Sequence, residues 1–382
     1  MNDVRASYVR WLEELDAHRG LALCVLRDDA QAICSPAAKY APQMTDHDRT
    51  VLVTGGTGFL GGWCVAELLR RGYTVRTTVR DLRREPKVRS AVAAAGVEAG
   101  ERLSVVVAEL TADDGWAAAV GGCRYVLHVA SPFPSTQPKD PDELIVPARD
   151  GALRVLRAAL DGGVERVVLT SALAAIHSSR ASTPEAPYTE ADWTDGADTS
   201  LTPYTRSKTI AEAAAWELAR GAGADSRLAT VNPGAIIGPV LGEDRSYSLQ
   251  TIERLLHGMP AVPRLGFPFI DVRDVADLHL RAMTEPAAGG QRFIAADRFL
   301  WLQEVAATLR KRLGDDAHKV PMRVAPNLLV RAMALFDPGV RSVVGDLGRD
   351  SSYSSEKART TLGWAPRPIE DSIEDCARSL LA

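Results

Sequence analysis

The sequence is poor in cysteine and lacks long apolar runs. Its five cysteines are scattered along 382 residues and form no Cys-x-x-Cys or Cys/His pattern suited to zinc, which predicts a reducing compartment. No apolar stretch approaches the roughly 18 residues of a membrane helix, and charged residues interrupt the N-terminal segment where a signal peptide would be apolar. We therefore expect a cytoplasmic protein with no membrane partner.

Long runs of one charge sign are also missing. Acidic and basic residues alternate, charged residues make up 25% of the chain, and the formal net charge is −4. A nucleic-acid-binding protein usually carries a basic stripe, so no nucleic-acid partner is expected. The length indicates two lobes, because single cores stop growing near roughly 250–300 residues.

Residues 1–49 form a distinct N-terminal extension. An amphipathic patch around Tyr8–Leu26 leads into a polar stretch, Ser35–Arg49, that has no periodic pattern. Met44, followed by Thr-Asp-His-Asp-Arg, resembles an ordinary N-terminus just before the first strand. Two interpretations stay open: Met1–Gln43 is an upstream extension of the reading frame, not native or loosely ordered, or it is an edge helix packed on the core.

From Thr50 onwards, short Val-rich runs alternate with longer stretches rich in Ala, Leu and Arg. The runs are continuously apolar, as is typical of parallel strands buried on both faces. This alternation predicts an α/β fold with a Rossmann-type doubly wound parallel sheet. Strands are predicted at Val51–Thr54, Thr74–Val79, Leu103–Ala108, Tyr125–Val129, Arg166–Thr170 and Leu228–Val231, and helices include Leu60–Arg71 and Leu144–Asp161.

The pattern changes after Pro233. Segments around Ser246–Gly258 and Pro321–Leu335 are helical but interrupted by prolines, and a last helix is predicted at Ile369–Leu381. We predict an NADP-binding domain over residues 50–240. Residues 241–382 are predicted to form mainly a smaller substrate lobe that closes over the carboxyl edge of the sheet, with some segments returning to that sheet.

A glycine-rich turn joins the first predicted strand to the first helix. Gly55 permits a tight turn, Gly58 lets the backbone approach a pyrophosphate, and Gly61 lets the helix pack closely on the strand. The helix N-terminus then offers N–H groups to phosphates. A plain strand-to-helix turn is the alternative, but the first place in a βαβ series disfavours it. The predicted cofactor contacts of this loop are Gly55, Thr57, Gly58, Phe59, Leu60 and Gly61.

The end of the second strand bears on the choice of cofactor. An NAD-preferring domain places an acidic residue there to hold the ribose 2′-hydroxyl. This chain has Val79 and then Arg80, with further basic residues just beyond. A guanidinium favours a 2′-phosphate through charge-assisted hydrogen bonds, so NADP(H) is the predicted cofactor. A solvated basic loop, partly neutralised by Asp81 and Glu85, is the alternative.

Tyr204 and Lys208 are spaced one turn apart at the start of a predicted helix that follows Pro203. A phenol of pKa about 10 is a poor acid or base at neutral pH, and a nearby ammonium stabilises its phenolate. Tyr204 is therefore predicted to protonate a carbonyl oxygen as hydride arrives, with Lys208 also contacting the cofactor ribose. An ordinary exposed surface pair is the alternative.

Ligands gather at the carboxyl ends of strands in an open α/β sheet. At the end of the fifth strand, Ser171 is the nearest hydroxyl to polarise a carbonyl, with Thr170 behind it, although both residues also suit a simple strand cap. The segment after the sixth strand, with Pro233, Ala235 and Ile236, is predicted to wrap the nicotinamide end. A plain proline and glycine turn is the alternative.

These residues resemble the branch of the extended short-chain dehydrogenase/reductases that holds dihydroflavonol reductases, cinnamoyl-CoA reductases and yeast-type aldehyde reductases, within the NAD-dependent epimerase/dehydratase superfamily. The likeness runs from about Thr50 to the C-terminus. The motifs that carry it are Thr54-Gly-Gly-Thr-Gly-Phe-Leu-Gly61, the segment Gly72–Asp81, His128-Val-Ala-Ser-Pro132, Arg166-Val-Val-Leu-Thr-Ser171, Tyr204-x-x-x-Lys208, Asp271-Val-Arg-Asp-Val-Ala276 and Leu362-Gly-Trp364.

The resemblance implies roles for further residues. Arg80 would bind the 2′-phosphate, Glu109 and Leu110 would flank the adenine, and Val129, Ala130 and Ser131 would line the cofactor. The branch generally has Thr-Ser-Ser at the fifth strand with the second serine catalytic, whereas this chain has Ala172 in that place. Either Ser171 substitutes through a local shift, or Tyr204 and Lys208 work with less help.

The substrate wall is the least determined part of the site. On the same resemblance, Phe133 and His177 are predicted to line it, although a loop histidine with no role is equally compatible with His177. The leading hypothesis is an NADPH-dependent reductase of a medium-sized apolar or aromatic aldehyde or ketone, acting as a monomer or homodimer. A nucleotide-sugar epimerase or dehydratase using NAD, and a non-catalytic dinucleotide-sensing module, are the alternatives.

Overall fold

The computed structural model describes residues 49–132, 140–178, 180–242, 246–336 and 344–382. The predictions for Met1–Gln43 and for Phe133 lie outside these residues. The strands are β1 Thr50–Thr54, β2 Thr74–Val79, β3 Leu103–Val107, β4 Tyr125–His128, β5 Arg166–Thr170, β6 Leu228–Pro233, β7 Ala235–Ile237, β8 Gly266–Asp271, β9 Gln291–Ala295 and β10 Arg298–Trp301.

The helices alternate with the first six strands and then dominate the C-terminal half. They are α1 Phe59–Arg70, α2 Glu85–Ala94, α3 Trp116–Val120, α4 Asp142–Asp161, α5 Pro203–Gly221, α6 Tyr247–His257, α7 Val272–Thr284, α8 Leu302–Leu313, α9 Asn327–Met333, α10 Glu356–Leu362 and α11 Ile369–Leu381. Within the described residues, none of these helices is long and apolar enough to cross a membrane.

Seven strands form one fully parallel sheet in the order β3-β2-β1-β4-β5-β6-β9. The order reverses direction between β1 and β4, which is the switch point where doubly wound sheets bind ligands. Apolar residues of α3, α4 and α5 cover one face, and those of α1, α2 and α7 cover the other. The predicted α/β fold with a Rossmann-type doubly wound sheet is confirmed.

A second, three-stranded sheet in the order β10-β8-β7 was not predicted. β7 has only three residues, and Pro268 interrupts the apolar pattern of β8, so neither strand is visible as a periodic run. The predicted helical segment Pro321–Leu335 is helical only over α9. Pro326 stands at the N-cap of α9, and Val324 forms an isolated bridge with Val262 instead of a helical turn.

An apolar core packs the C-terminal half against the sheet, and ionic contacts join α7 to the C-terminal segment. Residues of α6, α8 and α11 share a continuous apolar cluster with α1 and with the sheet. Asp271 caps α7 and pairs with Arg273, and Asp274 accepts hydrogen bonds from Arg367. The indole N–H of Trp364 donates to the backbone oxygen of Asp274 over 2.9 Å. The boundary at residue 240 stays a prediction.

Candidate functional site

The loop between β1 and α1 is shaped by three glycines whose missing side chains leave room for backbone. Gly55 has a φ of +75°, a conformation that favours glycine. A Cβ on Gly56 would lie 2.2 Å from Thr77 Oγ1, and one on Gly61 would lie 2.2 Å from the Gly55 oxygen. The Gly58 N–H donates to the Gly55 oxygen over 2.9 Å and begins α1. Thr57 completes the loop, and Phe59 and Leu60 form the first turn of α1. The contacts of these residues with a pyrophosphate stay a prediction.

Arg80 lies just past β2 and is exposed. Its neighbour Arg83 is already paired, because Asp81 accepts hydrogen bonds from the backbone N–H and the guanidinium of Arg83. Within the described ranges, the Arg80 side chain forms no hydrogen bond or ion pair. The structure therefore leaves Arg80, rather than Arg83, available for an anionic group beside the loop.

The predicted adenine and cofactor contacts follow β3 and β4. The Glu109 oxygen accepts from the Trp116 indole over 3.1 Å, and the Leu110 oxygen accepts from Arg154, so side chains hold this turn in place. Val129, Ala130 and Ser131 continue from β4 and are half-buried. The Ala130 N–H donates to Thr54 Oγ1 over 2.9 Å, which brings the end of β4 against the glycine loop.

Tyr204 and Lys208 occupy the first two turns of α5 and are half-buried. The helix begins sharply because Thr202 Oγ1 accepts from the Thr205 N–H over 3.1 Å and Pro203 occupies the first turn. The spacing of four residues puts the phenol and the ammonium on the same face of α5. The prediction that Tyr204 and Lys208 lie one turn apart at the start of a helix is confirmed, and their catalytic role stays a prediction.

Burial sets the protonation states of this pair. It raises the pKa of the Tyr204 phenol to about 12. It lowers the pKa of the Lys208 ammonium from 10.5 to about 8, against the opposing effect of the Glu212 carboxylate. At neutral pH the phenol is therefore protonated and the ammonium charged. The expectation that Lys208 lowers the pKa of Tyr204 is wrong for the free protein, because burial raises the pKa of the phenol.

His128, at the end of β4, interacts electrostatically with Lys208. Burial first, and then the Lys208 ammonium, lower the pKa of this imidazole to about 3. His128 Nδ1 lies 2.9 Å from Thr54 Oγ1, so the neutral ring joins β4 to β1 at the switch point. The neutral His128 ring therefore links the ends of β1 and β4 and adds no positive charge beside Lys208.

The two hydroxyls at the end of β5 are both engaged by the protein. Ser171 Oγ donates to Glu212 Oε2 over 2.5 Å, and Thr170 Oγ1 lies 2.7 Å from His279 Nε2. His279 Nδ1 lies 2.8 Å from the Val275 oxygen, which can only accept, so Nε2 accepts and Thr170 donates. The direct role predicted for Ser171 on the substrate stays a prediction.

The remaining predicted residues lie around the same edge of the sheet. Pro233 ends β6, and Ala235 and Ile236 are half-buried in β7. The His177 ring packs against Tyr188 with centroids 5.0 Å apart, and Tyr188 packs against Tyr353 at 5.3 Å. His177 thus belongs to an aromatic group, while Phe133 lies outside the described residues.

Sequence reasoning missed a buried ion pair beneath this site. Glu212 lies one turn beyond Lys208 on α5, and Arg292 Nε donates to Glu212 Oε1 over 2.7 Å from β9. The only sequence signal for Glu212 is its spacing of four residues from Lys208, which places both on one helix face. No sequence pattern indicated a role for Arg292, because its partner Glu212 lies 80 positions earlier in the chain.

Comparisons with known proteins agree with the geometry. The profile of the NAD dependent epimerase/dehydratase family matches residues 51–296. The cinnamoyl-CoA reductase CAD2 of Medicago truncatula is 35% identical over 86% of this chain and 95% of the relative. A dihydroflavonol 4-reductase of Zea mays is 34% identical over 72% of this chain and 76% of its own length. The structure of the yeast methylglyoxal/isovaleraldehyde reductase complexed with NADPH has a TM-score of 0.72 and 26% identity, covering 87% of this chain and 98% of that one.

The glycine loop provides a matched pair of variants. Gly61→Ala should weaken dinucleotide binding at least about tenfold, because its Cβ would collide with the Gly55 oxygen. Gly62→Ala should bind within about twofold of the wild type, because its nearest contact would be an ordinary 3.7 Å. Fluorescence titration with reduced dinucleotide measures both affinities. Equal dinucleotide affinities of the two variants would contradict the role of the glycine loop in dinucleotide binding.

Proposed function

The chain belongs to the NAD dependent epimerase/dehydratase family, and from that premise we propose that it reduces an aldehyde or ketone to an alcohol, with NADPH as hydride donor and Tyr204 as proton donor. It is an NADP-dependent oxidoreductase that acts on carbonyl and CH–OH groups. The observation that carries the proposal is the half-buried Tyr204 and Lys208 pair on α5, the helix whose Glu212 accepts a hydrogen bond from Ser171 at the end of β5.

The residues present suit NADPH. The glycine loop offers backbone N–H groups to a pyrophosphate, and the exposed Arg80 guanidinium suits a 2′-phosphate. When bound, NADPH supplies the hydride for the carbonyl carbon. Val129, Ala130, Ser131, Pro233, Ala235 and Ile236 would line its remaining length.

The chain's own residues supply the proton. Tyr204 is protonated below about pH 12 and donates its hydroxyl proton to the carbonyl oxygen as negative charge develops there. Lys208 is charged below about pH 8, so its ammonium stabilises the phenolate that remains. Activity in the reducing direction should therefore fall as the pH rises past about 8.

The substrate is proposed to be a medium-sized apolar or aromatic carbonyl compound. Tyr188 of the aromatic group is buried, so the exposed His177 ring and the half-buried Tyr353 ring are the ones available to stack against a planar substrate. Two of the relatives are named for cinnamoyl and dihydroflavonol substrates, both of which carry an aromatic ring.

Removal of the Tyr204 hydroxyl tests the chemistry. Tyr204→Phe should lower kcat about 100-fold or more, while NADPH affinity stays within about threefold, because only the proton donor is lost. The assay follows NADPH oxidation with a panel of aromatic and aliphatic aldehydes and ketones and one UDP-sugar. Tyr125→Phe is the control, because its hydroxyl lies by Glu165, towards the opposite end of the sheet. Full turnover by Tyr204→Phe would refute the assignment.

Arg80 should set the preference between the two dinucleotides. Arg80→Ala should weaken NADPH binding by about tenfold or more and leave NADH binding unchanged, because only NADPH carries the 2′-phosphate. Arg83→Ala is the matched control, since Asp81 already holds that guanidinium. Isothermal titration calorimetry with each dinucleotide measures the effect. An equal loss for NADPH and NADH would remove Arg80 from the 2′-phosphate site.

A further inference from the structure

The Glu212 carboxylate lies at the centre of a buried polar cluster. Its side chain is completely buried, and its two oxygens accept six hydrogen bonds. The donors come from β5, β6, β9 and α5: Ser171 Oγ at 2.5 Å, Asn232 Nδ2 at 2.8 Å, Thr230 Oγ1 at 3.0 Å, Trp216 Nε1 at 3.4 Å, and Arg292 Nε and Nη2 at 2.7 and 3.4 Å. One carboxylate therefore joins three strands to the helix that carries Tyr204 and Lys208.

Arg292 extends this cluster to two loops at the carboxyl edge. Its guanidinium donates to the backbone oxygens of Glu190 and Asp192 over 2.9 and 2.8 Å, and to the backbone oxygen of Ala175 over 3.1 Å. It also lies 3.6 Å from the centroid of the Trp193 ring. The loop through Ala175 leads directly to His177, so the same ion pair holds the aromatic group.

The cluster touches the reacting region at two points. Lys208 is one turn before Glu212 on α5, and the carboxylate raises the pKa of that ammonium against the effect of burial. On the other side, Asn232 Nδ2 donates both to Glu212 and to the Ala172 oxygen, the latter over 3.2 Å. The backbone where the family usually carries a second serine is therefore held by the Glu212 cluster.

Stability alone does not account for such a pair. Desolvation of a carboxylate and a guanidinium opposes folding, and apolar residues of similar volume often stabilise a protein as well or better. The six hydrogen bonds to Glu212 instead fix a geometry, because both carboxylate oxygens and their donors have defined partners. The geometry they fix here is that of α5, β5 and the loop that carries His177.

We propose that Glu212 and Arg292 are positioning residues for the reduction: their ion pair fixes the end of β5 against α5, and Ser171 acts through Glu212 rather than on the substrate. The Glu212 carboxylate also acts electrostatically on Lys208, one turn away on α5. This inference rests on the proposed function for its catalytic part. Its electrostatic part concerns Lys208 in the free protein and holds whatever the substrate is.

The charges around Lys208 determine in which direction its pKa changes when the Glu212 charge is removed. Among the described residues, the titratable groups near Lys208 are Tyr204 and Glu212 on its own helix and His128 on β4, and His128 is neutral above about pH 3. Glu212 is faced by Arg292 from β9, and its other partners are uncharged. Loss of the carboxylate charge should therefore lower the pKa of Lys208 below 8.

The first test measures that pKa directly. Lysines of the full-length protein are reductively methylated with a carbon-13 label and titrated by NMR, and Lys208→Met assigns the signal. Glu212→Gln should lower the pKa of Lys208 by about one unit, with the alkaline limit of reductase activity moving by the same amount. Glu212→Gln/Arg292→Met, which removes both buried charges, should show the same direction and serves if the single variant does not fold.

An unchanged pKa of Lys208 in both variants would overturn the electrostatic part. If the pKa moves as expected while Tyr204→Phe keeps full turnover, the assignment of Tyr204 fails and the influence of Glu212 on Lys208 stands. The two failures are therefore distinguishable.

The second test concerns Ser171. Ser171→Ala should lower kcat by about tenfold or less, and in the Glu212→Gln background it should cost no more than about a further twofold, because both changes weaken the same charge-assisted contact. A hydroxyl that polarised the carbonyl directly would be worth about 100-fold, and its removal would multiply with the loss of Glu212. Multiplicative effects would overturn the indirect role of Ser171.

Discussion

The parallel register of the sheet is the constraint on which the site depends. Backbone pairing places Thr54 beside His128, His128 beside Leu169, Leu169 beside Thr230, and Thr230 beside Arg292. Because all these strands run in the same direction, their carboxyl ends open onto one edge. The glycine loop, the end of β4, the end of β5 and the polar cluster below α5 thus come from distant parts of the chain to one place.

Burial then determines the charges at that edge. A phenol that stays protonated, an imidazole that stays neutral and an ammonium of reduced pKa are all consequences of desolvation in the described structure. Among these groups, Lys208 titrates closest to neutrality, and the opposing influence on it comes from Glu212. The same buried carboxylate accepts a hydrogen bond from Ser171, so the hydroxyl beside Ala172 already has a partner within the protein.

Much of this arrangement could be predicted from local pattern. The first six strands, the glycine loop and the helix with Tyr204 and Lys208 each depend on short-range sequence features, and all were placed within a few residues. The sequence did not predict β9, because its place beside β6 depends on a pairing between distant parts of the chain. It did not predict β8, because Pro268 interrupts the apolar pattern of that strand. The orientation of Ser171 was also out of reach, since its partner Glu212 lies 41 positions further along the chain.

In the reaction proposed here, hydride passes from NADPH to a carbonyl carbon while the protein supplies the proton. The most direct measurement incubates the protein with NADPH deuterated at the transferable position of C4 and an aromatic aldehyde or ketone, and locates the label by NMR. We expect deuterium on the carbinol carbon of the alcohol and oxidised dinucleotide in equal amount. Alcohol without label on that carbon, or a bound dinucleotide that transfers nothing to any carbonyl compound, would contradict it.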